Sequence, residues 1–455
     1  MTRAIELNDV DLTLAESGRV LAMSPGYALL EESGPVLGAA ARAVARVQPA
    51  KVNHHFWHEL STRAHFKGIA GAGSYADLAY LHLRELLSGQ TAGTPTTVLV
   101  PAAMELEQLG LLRAIAQAAG IEAACFVDTA VAAARALPGS GKQFHIDVEL
   151  HRATVTELRA GERIERGRVL VASGAGQLAL MQRTLEFIAR DMVYETRFDP
   201  LLQGESEQAL FDALPQLLRE AAAKGRVTIA LGAPTERHRV DLKQDQLIAA
   251  TAPLVEEILT QLHRLRWAGE ASTIGLGAQA ALLPGLAQRL VGLPDTECYV
   301  LEPMSAIAAV SGAFAIEHTS GDTAERVTAL ASVPESARAA FGATAVLADE
   351  AKVVAAPSHL LYRGQAIALD GESLTIGTSV GSASRSLNVA GATAGVSRSH
   401  CTLLRQGTDL LVFDHSSFGT WLNDERIAHR ARLRAGDHLR LGAPGIVLEL
   451  IAING

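Results

Sequence analysis

The sequence predicts an α/β region over residues 1–316, a linker over 317–356 and an all-β sandwich over 357–455. Strand and helix patterns alternate through the first region, which is typical of layered sheets covered by helices. Beyond about residue 355 the helix patterns stop, and short alternating apolar runs are separated by Gly, Asp and Ser turns. A chain of 455 residues also exceeds one ordinary hydrophobic core, so several domains are expected.

The composition is that of a folded, acidic protein. Apolar residues make up 48% and charged residues 20%, and 49 acidic against 40 basic side chains give a net charge of −9. An acidic chain is a poor general binder of nucleic acid, so no nucleic-acid partner is expected. The apolar run 304–316 is shorter than the about 20 residues that a membrane span needs. The N-terminal stretch has acidic residues where a signal peptide is apolar, so we expect no membrane insertion and a cytoplasmic location.

The first region can be followed element by element. Short strands up to residue 30 turn at Ser17-Gly18 and Pro25-Gly26, because these pairs interrupt β-type alternation. A helix with apolar residues three and four apart ends at Gly89. The β run Thr97–Val100 then leads into a long amphipathic helix that ends at Gly120. A second strand, an Ala-rich helix and a β hairpin follow.

The rest of the α/β region has the same character, and its end is marked by a change in composition. Residues 177–222 are predicted to be helical, 226–231 form a strand, and 245–265 form a long helix with apolar spacing of three and four. Residues 272–292 read as strand, Gly-rich turn and helix. Residues 317–353 are polar and Ala-rich with little periodicity, which indicates a linker that holds at most a short helix.

The C-terminal region carries four motifs in a fixed order. They are "LTIG" (374–377), "VSRSH" (396–400), "DHSSFGTWLND" (414–424) and "LRAGDHLRLG" (433–442). With these motifs the region resembles a forkhead-associated (FHA) domain. That resemblance implies a β-sandwich that reads phosphothreonine peptides with loops at one end, and therefore a protein partner, phosphorylated or not.

The FHA resemblance also implies which side chains bind the partner. Ser397 and Arg398 match the family's Ser-Arg-x-His loop, whereas Thr378 stands at the family's phosphate-binding Arg and Phe418 at its peptide-binding Asn. Arg385 is either a replacement cation or a solvated loop residue. His400 and Asn423 are expected to hold loop backbone. The candidate partner-binding residues are Ser397, Arg398, Arg385, Thr378, Thr420 and Phe418.

Several motifs of the first region are similar to the actin/hexokinase/heat-shock-chaperone ATPase superfamily. They are "VLVPAAMELEQLGLLRAIAQAAGIEAACFVDTAVAAARAL" (98–137), "IGLGAQAALLPGLAQRL" (274–290) and "PMSAIAAVSGAFA" (303–315). The resemblance implies a two-lobed, ribonuclease H-like fold. In that superfamily two Gly-rich hairpins wrap the phosphates of ATP, and each hairpin brings an Asp that positions Mg²⁺ or water.

The residues expected to bind nucleotide are mostly replaced. Glu6 stands at the first Asp position and Asn8 at a Gly position. Asp147 stands at the second Asp position, but Glu-Leu-His-Arg (149–152) replaces the following Gly-Gly-Gly-Thr. The adenosine turn keeps Gly277, and Asp128 is roughly level with another acid of the family. Because bulky and acidic side chains would occupy the phosphate space, we predict a degenerate site with Glu6, Asp147 and Gly277 as remnants and no bound cofactor.

Cysteines and a group of histidines are the other candidate metal ligands in the sequence. Cys125, Cys298 and Cys401 lie far apart without metal-ligand spacing, which favours free thiols in a reducing compartment. On a helix, His54 and His58 would share a face with His55 beside them, but the sequence offers no further ligand. We therefore predict no metal site, and expect these histidines to line a surface or cleft.

These observations together predict a non-catalytic scaffold or regulatory adaptor. Its first region is a pseudo-ATPase of chaperone-like fold, and its FHA-like domain binds a protein, with or without phosphothreonine. No nucleophile–base–acid set is recognisable in the sequence, so no enzyme activity is expected. The alternative is a working ATPase that uses ATP and Mg²⁺ and couples nucleotide state to partner binding.

Overall fold

The structure is a computed structural model of the chain. It describes residues 3–91, 93–121, 124–232, 237–315, 326–347, 356–369, 371, 373–381, 383, 385–391, 394–407 and 409–453. The chain divides into two compact units. Unit 1 comprises Met1–Gln261, Thr273–Leu290 and Glu297–Val346, and unit 2 comprises Leu262–Ser272, Val291–Thr296 and Leu347–Gly455.

Unit 1 contains most of the helices and two large sheets. The strands up to residue 346 are β1 (Arg3–Glu6), β2 (Leu12–Glu16), β3 (Arg19–Ser24), β4 (Ala28–Leu29), β5 (Val36–Leu37), β6 (Val52–Asn53), β7 (Thr96–Val100), β8 (Ala124–Asp128), β9 (Gly141–Val148), β10 (Ala153–Ala160), β11 (Arg163–Ala172), β12 (Arg226–Leu231), β13 (His238–Lys243), β14 (Trp267–Ala268), β15 (Ser272–Leu276), β16 (Thr296–Leu301), β17 (Arg326–Val327), β18 (Ala329–Ala331) and β19 (Ala343–Val346).

The helices alternate with these strands, as the sequence predicts. They are α1 (Ala39–Arg42), α2 (Tyr75–Leu86), α3 (Leu106–Ala118), α4 (Thr129–Ala134), α5 (Gln177–Thr196), α6 (Gly204–Lys224), α7 (Gln244–His263), α8 (Leu286–Val291), α9 (Ser305–Ala308) and α10 (Glu335–Arg338). The helix α2 begins at a reciprocal cap, in which Ser74 and Asp77 each bond the other's backbone N–H. In the described ranges, every helix is too short or too polar to cross a bilayer.

The two large sheets of unit 1 share a strand order. The first has the order β17-β8-β7-β1-β2-β3, and the second has the order β18-β11-β10-β9-β15-β16-β19. In each sheet, three consecutive strands lie side by side as a meander. Two later strands extend the sheet on the side of the meander's first strand. In the first sheet β1, β2 and β3 are antiparallel, whereas β7 runs parallel to β1 and β8. Every residue of β7 is buried, as expected for a strand covered on both faces.

Small residues allow the elements between the sheets to pack closely. All six residues of α4 (TAVAAA) are buried, and Ser305, Ala306 and Ile307 of α9 are buried as well. Leu99, Val131 and Ile307 belong to one apolar cluster with residues of both sheets. The carboxyl end of β1 and the turn after β9 therefore lie close together. The cavity described in the next subsection lies at this place.

Unit 2 is a β-sandwich. Its remaining strands are β20 (His359–Tyr362), β21 (Gln365–Ala368), β22 (Leu374–Gly377), β23 (Arg385–Asn388), β24 (Cys401–Gln406), β25 (Asp409–Asp414), β26 (Thr420–Leu422), β27 (Glu425–Ile427), β28 (Arg430–Leu433), β29 (His438–Leu441) and β30 (Ile446–Ile451). One sheet has the order β14-β27-β26-β29-β30-β20-β21 and the other β23-β22-β24-β25-β28. Alternate side chains point into the apolar core between them, for example Leu403, Val412 and Leu448.

Two features differ from the sequence-based division. Residues 326–346 fall in the segment expected to be a linker, yet β17 extends the first sheet and β18 and β19 extend the second. These strands are two to four residues long, so they carry no periodicity that a sequence pattern could reveal. Unit 2 also includes Leu262–Ser272 and Val291–Thr296. The rest of the expected linker, 317–325 and 348–355, lies outside the described residues.

Candidate functional site

The end of β22 and the Ser-Arg-x-His loop approach each other through backbone contact. A Cβ on Gly377 would lie 2.0 Å from the carbonyl oxygen of Arg398, so only glycine fits there. Next to it, the N–H of Thr378 donates to the carbonyl of Ser397 at 3.1 Å, and that of Ser379 to the carbonyl of Arg398 at 3.1 Å. This pairing fixes Thr378, at the position of the family's arginine, directly beside Ser397.

His400 links this loop to the loop that precedes β26. Its ring is fully buried (0% exposed), and Nδ1 accepts from the N–H of Ser397 at 3.0 Å. Nε2 therefore carries the proton and donates to the carbonyl of Gly419 at 3.1 Å. Burial lowers the pKa of His400, which favours this neutral form. The prediction that His400 holds loop backbone is confirmed.

Asp414 holds the loop that precedes β26, residues 415–419, which is the third loop of this site after the end of β22 and the Ser-Arg-x-His loop. One carboxylate oxygen, Oδ1, accepts from the N–H of Ser416 at 3.0 Å and from the hydroxyl of Thr420 at 2.7 Å. Thr420 is fully buried (0% exposed), so its hydroxyl is not available to a partner. The sequence grouped Thr420 with the partner-binding residues. The structure corrects this, because its hydroxyl is used to brace the loop.

The exposed tips of these loops form the candidate partner-binding surface. Ser397 Oγ accepts from the N–H of Ser417 at 3.3 Å, which joins the Ser-Arg-x-His loop to the loop that precedes β26. Arg398 is exposed next to Ser397, and Phe418 is 61% exposed at the tip of the third loop. We call Thr378, Ser397, Arg398, Ser417 and Phe418 the loop-tip surface. It offers three hydroxyls, a guanidinium and an apolar ring to a ligand.

Arg385 does not belong to the loop-tip surface. It lies in β23 opposite Leu374, at the end of β22 farthest from Gly377, and three residues of strand separate these positions by about 10 Å. Its Nη2 donates to the carbonyl of Ala368 at 2.7 Å. The sequence-based hypothesis that Arg385 replaces the family's phosphate-binding arginine is therefore corrected by its position in the sheet and by its backbone contact.

In unit 1 the predicted nucleotide-site remnants do meet. Glu6, Asp147 and Gly277 line one cavity of about 80 Å³, together with side chains from β2, α4, α9 and the turn after β15. A Cβ on Gly277 would lie 2.7 Å from Asp147 Oδ1, so a larger residue there would displace that carboxylate. The cavity is small, since pockets for small-molecule ligands usually measure about 300–1,000 Å³.

Of the four acids that line this cavity (Glu6, Asp11, Asp147 and Glu302), Glu6 and Asp147 have strongly raised pKa values, which favours their protonated forms. Burial raises the pKa of Glu6 to about 8, and the negative charge of Asp147 adds to the shift. Burial, and then the charge of Glu149, raises the pKa of Asp147 to about 7, although the Val148 N–H and the Asn8 amide oppose the shift. A magnesium ion would have to displace protons from both groups before it could bind them.

The turn after β1 and the turn after β9 are hydrogen-bonded to each other. Asn8 Nδ2 donates to the carbonyl of Val148 at 2.9 Å, and the Leu150 N–H donates to Asp9 Oδ1 at 2.7 Å. Leu150 is fully buried against Val10 and Tyr27. These contacts occupy the gap between the hairpins, where the resemblance implies that phosphates would lie.

Arginine side chains pair with two further acids of unit 1. Glu149 forms a two-pronged ion pair with Arg152, at 3.0 and 2.9 Å. Asp128 is fully buried, caps α4 through the N–H of Ala130 at 3.0 Å, and pairs with Arg166 at 2.8 Å. Asp128, which the sequence places roughly level with an acid of the ATPase superfamily, therefore has a structural role and does not line the cavity.

The histidine cluster contains a member that the sequence did not suggest. His54, His55 and His58 lie in an irregular turn and not on a helix, and His151 from the turn after β9 packs among them. One ring nitrogen from each of His54, His55 and His151 lies within 4.8 Å of the other two. Because His151 is about a hundred residues away in sequence, no local motif connects it with the other three.

Comparison with known families identifies the C-terminal part. Residues 374–442 match the family model described as FHA domain. No curated protein matches the chain. The matched segment runs from β22 to the end of β29 and contains the loop-tip surface. Unit 2 therefore contains an FHA domain, a protein-binding module of the kind that recognises phosphopeptides, and this part of the sequence-based prediction is confirmed.

Proposed function

We propose that this chain is a non-catalytic scaffold or regulatory adaptor. Its FHA domain binds a protein partner through the loop-tip surface, and unit 1 is a degenerate, chaperone-like ATPase fold that does not turn over nucleotide. The observation that carries the proposal is the direct hydrogen bonding between the two hairpin turns through Asn8 and Asp9. An ATP-binding member of the superfamily needs that gap for phosphates.

The strand order of unit 1 supports the assignment of its fold. The order β3-β2-β1-β7-β8 in the first sheet corresponds to β11-β10-β9-β15-β16 in the second. Such a duplicated order is what a two-lobed fold of ribonuclease H-like halves requires. The meeting of Glu6, Asp147 and Gly277 in one cavity is also consistent with this fold.

The residues of the loop-tip surface support phosphopeptide recognition by an altered set of contacts. Ser397 presents its hydroxyl from a braced loop, and the Arg398 guanidinium is exposed beside it. A phosphate bound there would accept one hydrogen bond from the Ser397 hydroxyl and one charge-assisted hydrogen bond from the Arg398 guanidinium. Phe418 would contact an apolar side chain of the peptide, in place of the backbone contact that an asparagine makes.

Peptide binding tests the FHA half of the proposal. Matched phosphothreonine and threonine peptide arrays are probed with the full chain and with Ser397→Ala, Arg398→Ala and Arg385→Ala. A hydrogen bond to a charged group contributes about 1.5–3 kcal/mol, so Arg398→Ala should weaken phosphopeptide binding about 10- to 100-fold. Arg385→Ala is the control and should bind normally. Equal binding of both peptide forms, lost in Phe418→Ala, would indicate an unphosphorylated partner.

Nucleotide binding tests the pseudo-ATPase half. We expect millimolar Mg·ATP to leave the melting temperature of the full chain unchanged, because a ligand stabilises a fold only if it binds the folded state. The rival hypothesis is the working ATPase with Glu6 and Asp147 as magnesium ligands. It requires a rise in melting temperature with Mg·ATP that Asp147→Asn abolishes, together with ATP hydrolysis.

A further inference from the structure

Four histidines from two distant segments meet in unit 1. His151 stacks on His55 with ring centroids 4.1 Å apart and on His54 at 5.0 Å, and His58 lies 5.0 Å from it. All four side chains are partly accessible to solvent. Imidazole is the commonest protein ligand of transition metals, and a set of three is sufficient for a metal site.

The spacing of the ring nitrogens suits a metal ion. His54 Nδ1 and His151 Nε2 lie 3.2 Å apart, and the three nitrogens of His54, His55 and His151 fit within 4.8 Å. Two nitrogens bound tetrahedrally at about 2.0–2.1 Å from zinc would be about 3.3 Å apart. Small ring rotations would therefore suffice to aim all three at one point. His151 Nε2 would give up its contact of 2.9 Å with the carbonyl of His54.

The surrounding charges permit a cation. Of the two nearby arginines, Arg152 is paired with Glu149, and Arg46 lies 3.4 Å from Glu207. Glu59 Oε1 lies 3.2 Å from His55 Nδ1. The negative charge of this carboxylate would favour a cation bound to the neighbouring rings.

We propose that His54, His55 and His151 form a binding site for a borderline transition-metal ion, of which Zn²⁺ is the representative. The ion would join the turn at residues 54–58 to the turn after β9, with the fourth position taken by water or by His58. The site does not depend on the proposed adaptor function.

Metal titration of the full, untagged chain tests the proposal. Calorimetry with ZnCl₂ should give one ion per chain, and His54→Gln, His55→Gln and His151→Gln should each weaken binding at least tenfold. His65→Gln is the matched control, because His65 stacks on Tyr75 outside the cluster, and it should bind Zn²⁺ normally. The absence of zinc binding, or zinc binding that all three variants retain, would overturn the site.

A measurement on the unmodified chain avoids the question of whether the variants fold. Co²⁺ in place of Zn²⁺ should give the visible absorption of a four-coordinate ion without a thiolate charge-transfer band. A thiolate band would assign the ion to Cys125, Cys298 or Cys401 and would contradict the proposal.

Discussion

Partly buried acids in unit 1 oppose stability at neutral pH. Glu6 and Asp147 face the same cavity, and burial raises the pKa of both. The folded chain therefore keeps protons that the unfolded chain releases between about pH 4 and pH 8. Because the folded state binds more protons in this window, the free energy of unfolding falls as the pH rises through it.

Buried histidines act in the opposite direction at lower pH. Burial lowers the pKa of His82 and of His145 to about 4, so the unfolded chain binds their protons more readily below about pH 6.5. Their effect ends above that value, because both states then carry neutral rings. From about pH 6.5 to 8, among these groups, only Glu6 and Asp147 affect the pH dependence of stability.

Glu6→Gln should flatten this part of the profile. The amide carries no charge, so the variant avoids the cost of ionising an acid that the fold partly removes from water. It should be more stable than the native chain at pH 8 by about 1 kcal/mol or more, since one pKa unit corresponds to about 1.4 kcal/mol. Denaturant unfolding at pH 6.5 and pH 8 measures the difference. Exposed Glu162→Gln is the control, and an equal decline for Glu6→Gln and the native chain would refute the explanation.

Residues within a local motif could be predicted, whereas residues that meet through the fold could not. The sequence located Ser397 and His400 from one motif, and it located Glu6, Asp147 and Gly277 from a resemblance in order and spacing. It could not join His151 to His54. It also misplaced Arg385, because sequence proximity to "LTIG" does not reveal that β23 pairs in parallel with β22 and leaves Arg385 at the wrong end.

At the scale of elements, the binding loops depend on one close approach between a strand end and a loop. Gly377 ends β22 against the carbonyl of Arg398, and the same contact aligns Thr378 with Ser397. The backbone pairing there leaves no room for a methyl group. The geometry of the loop-tip surface therefore follows from the strand and not only from the loop.

Gly377→Ala should damage stability and binding together. The added Cβ would force the loop away from β22, and overpacking of this kind costs about 1–3 kcal/mol. Phosphopeptide affinity should fall as Ser397 moves. Gly381→Ala is a matched control in the same loop region, because a Cβ on Gly381 meets nothing within 4 Å. Thermal unfolding and peptide binding measure both effects, and normal peptide binding by Gly377→Ala would show that the contact does not position the loop.

Element prediction succeeded where periodicity was long and failed where strands were short. The helices α2 and α7 and the meanders of the FHA domain follow patterns of three to four or of two residues. The strands β17, β18 and β19 are formed by pairing at sheet edges, which only the folded sheets provide. The polar, Ala-rich composition of residues 326–346 therefore predicted a linker where the structure has three short strands.

At the scale of the whole molecule, unit 2 is assembled from separate parts of the chain. Strand β14 pairs in parallel with β27, and Arg266, which is 1% exposed, forms an ion pair with Glu425. A Cβ on Gly269 would lie 1.7 Å from the carbonyl of Arg430. The sequence placed the domain boundary at residue 357, because neither a two-residue strand nor a single arginine indicates pairing over about 160 residues.

The ion pair predicts that Glu425→Gln destabilises the full chain much more than a fragment that lacks Arg266. In the full chain, Glu425→Gln leaves the buried Arg266 charge without its partner and should cost about 3–5 kcal/mol. In a fragment of residues 357–455, Arg266 is missing, so the same substitution should cost no more than about 0.5 kcal/mol. The native fragment should already be less stable than unit 2 in the full chain.

Hydrogen exchange of the β26 and β29 amides in denaturant reports the stability of unit 2 in both proteins. Arg432→Ala is the control, because Arg432 and Asp409 form an exposed pair within unit 2. Exposed pairs contribute about 0–1 kcal/mol, so this variant should change little in either context. If Glu425→Gln costs the same in the fragment as in the full chain, Arg266 is not what stabilises that edge of the sandwich, and residues 357–455 fold independently of the earlier segments.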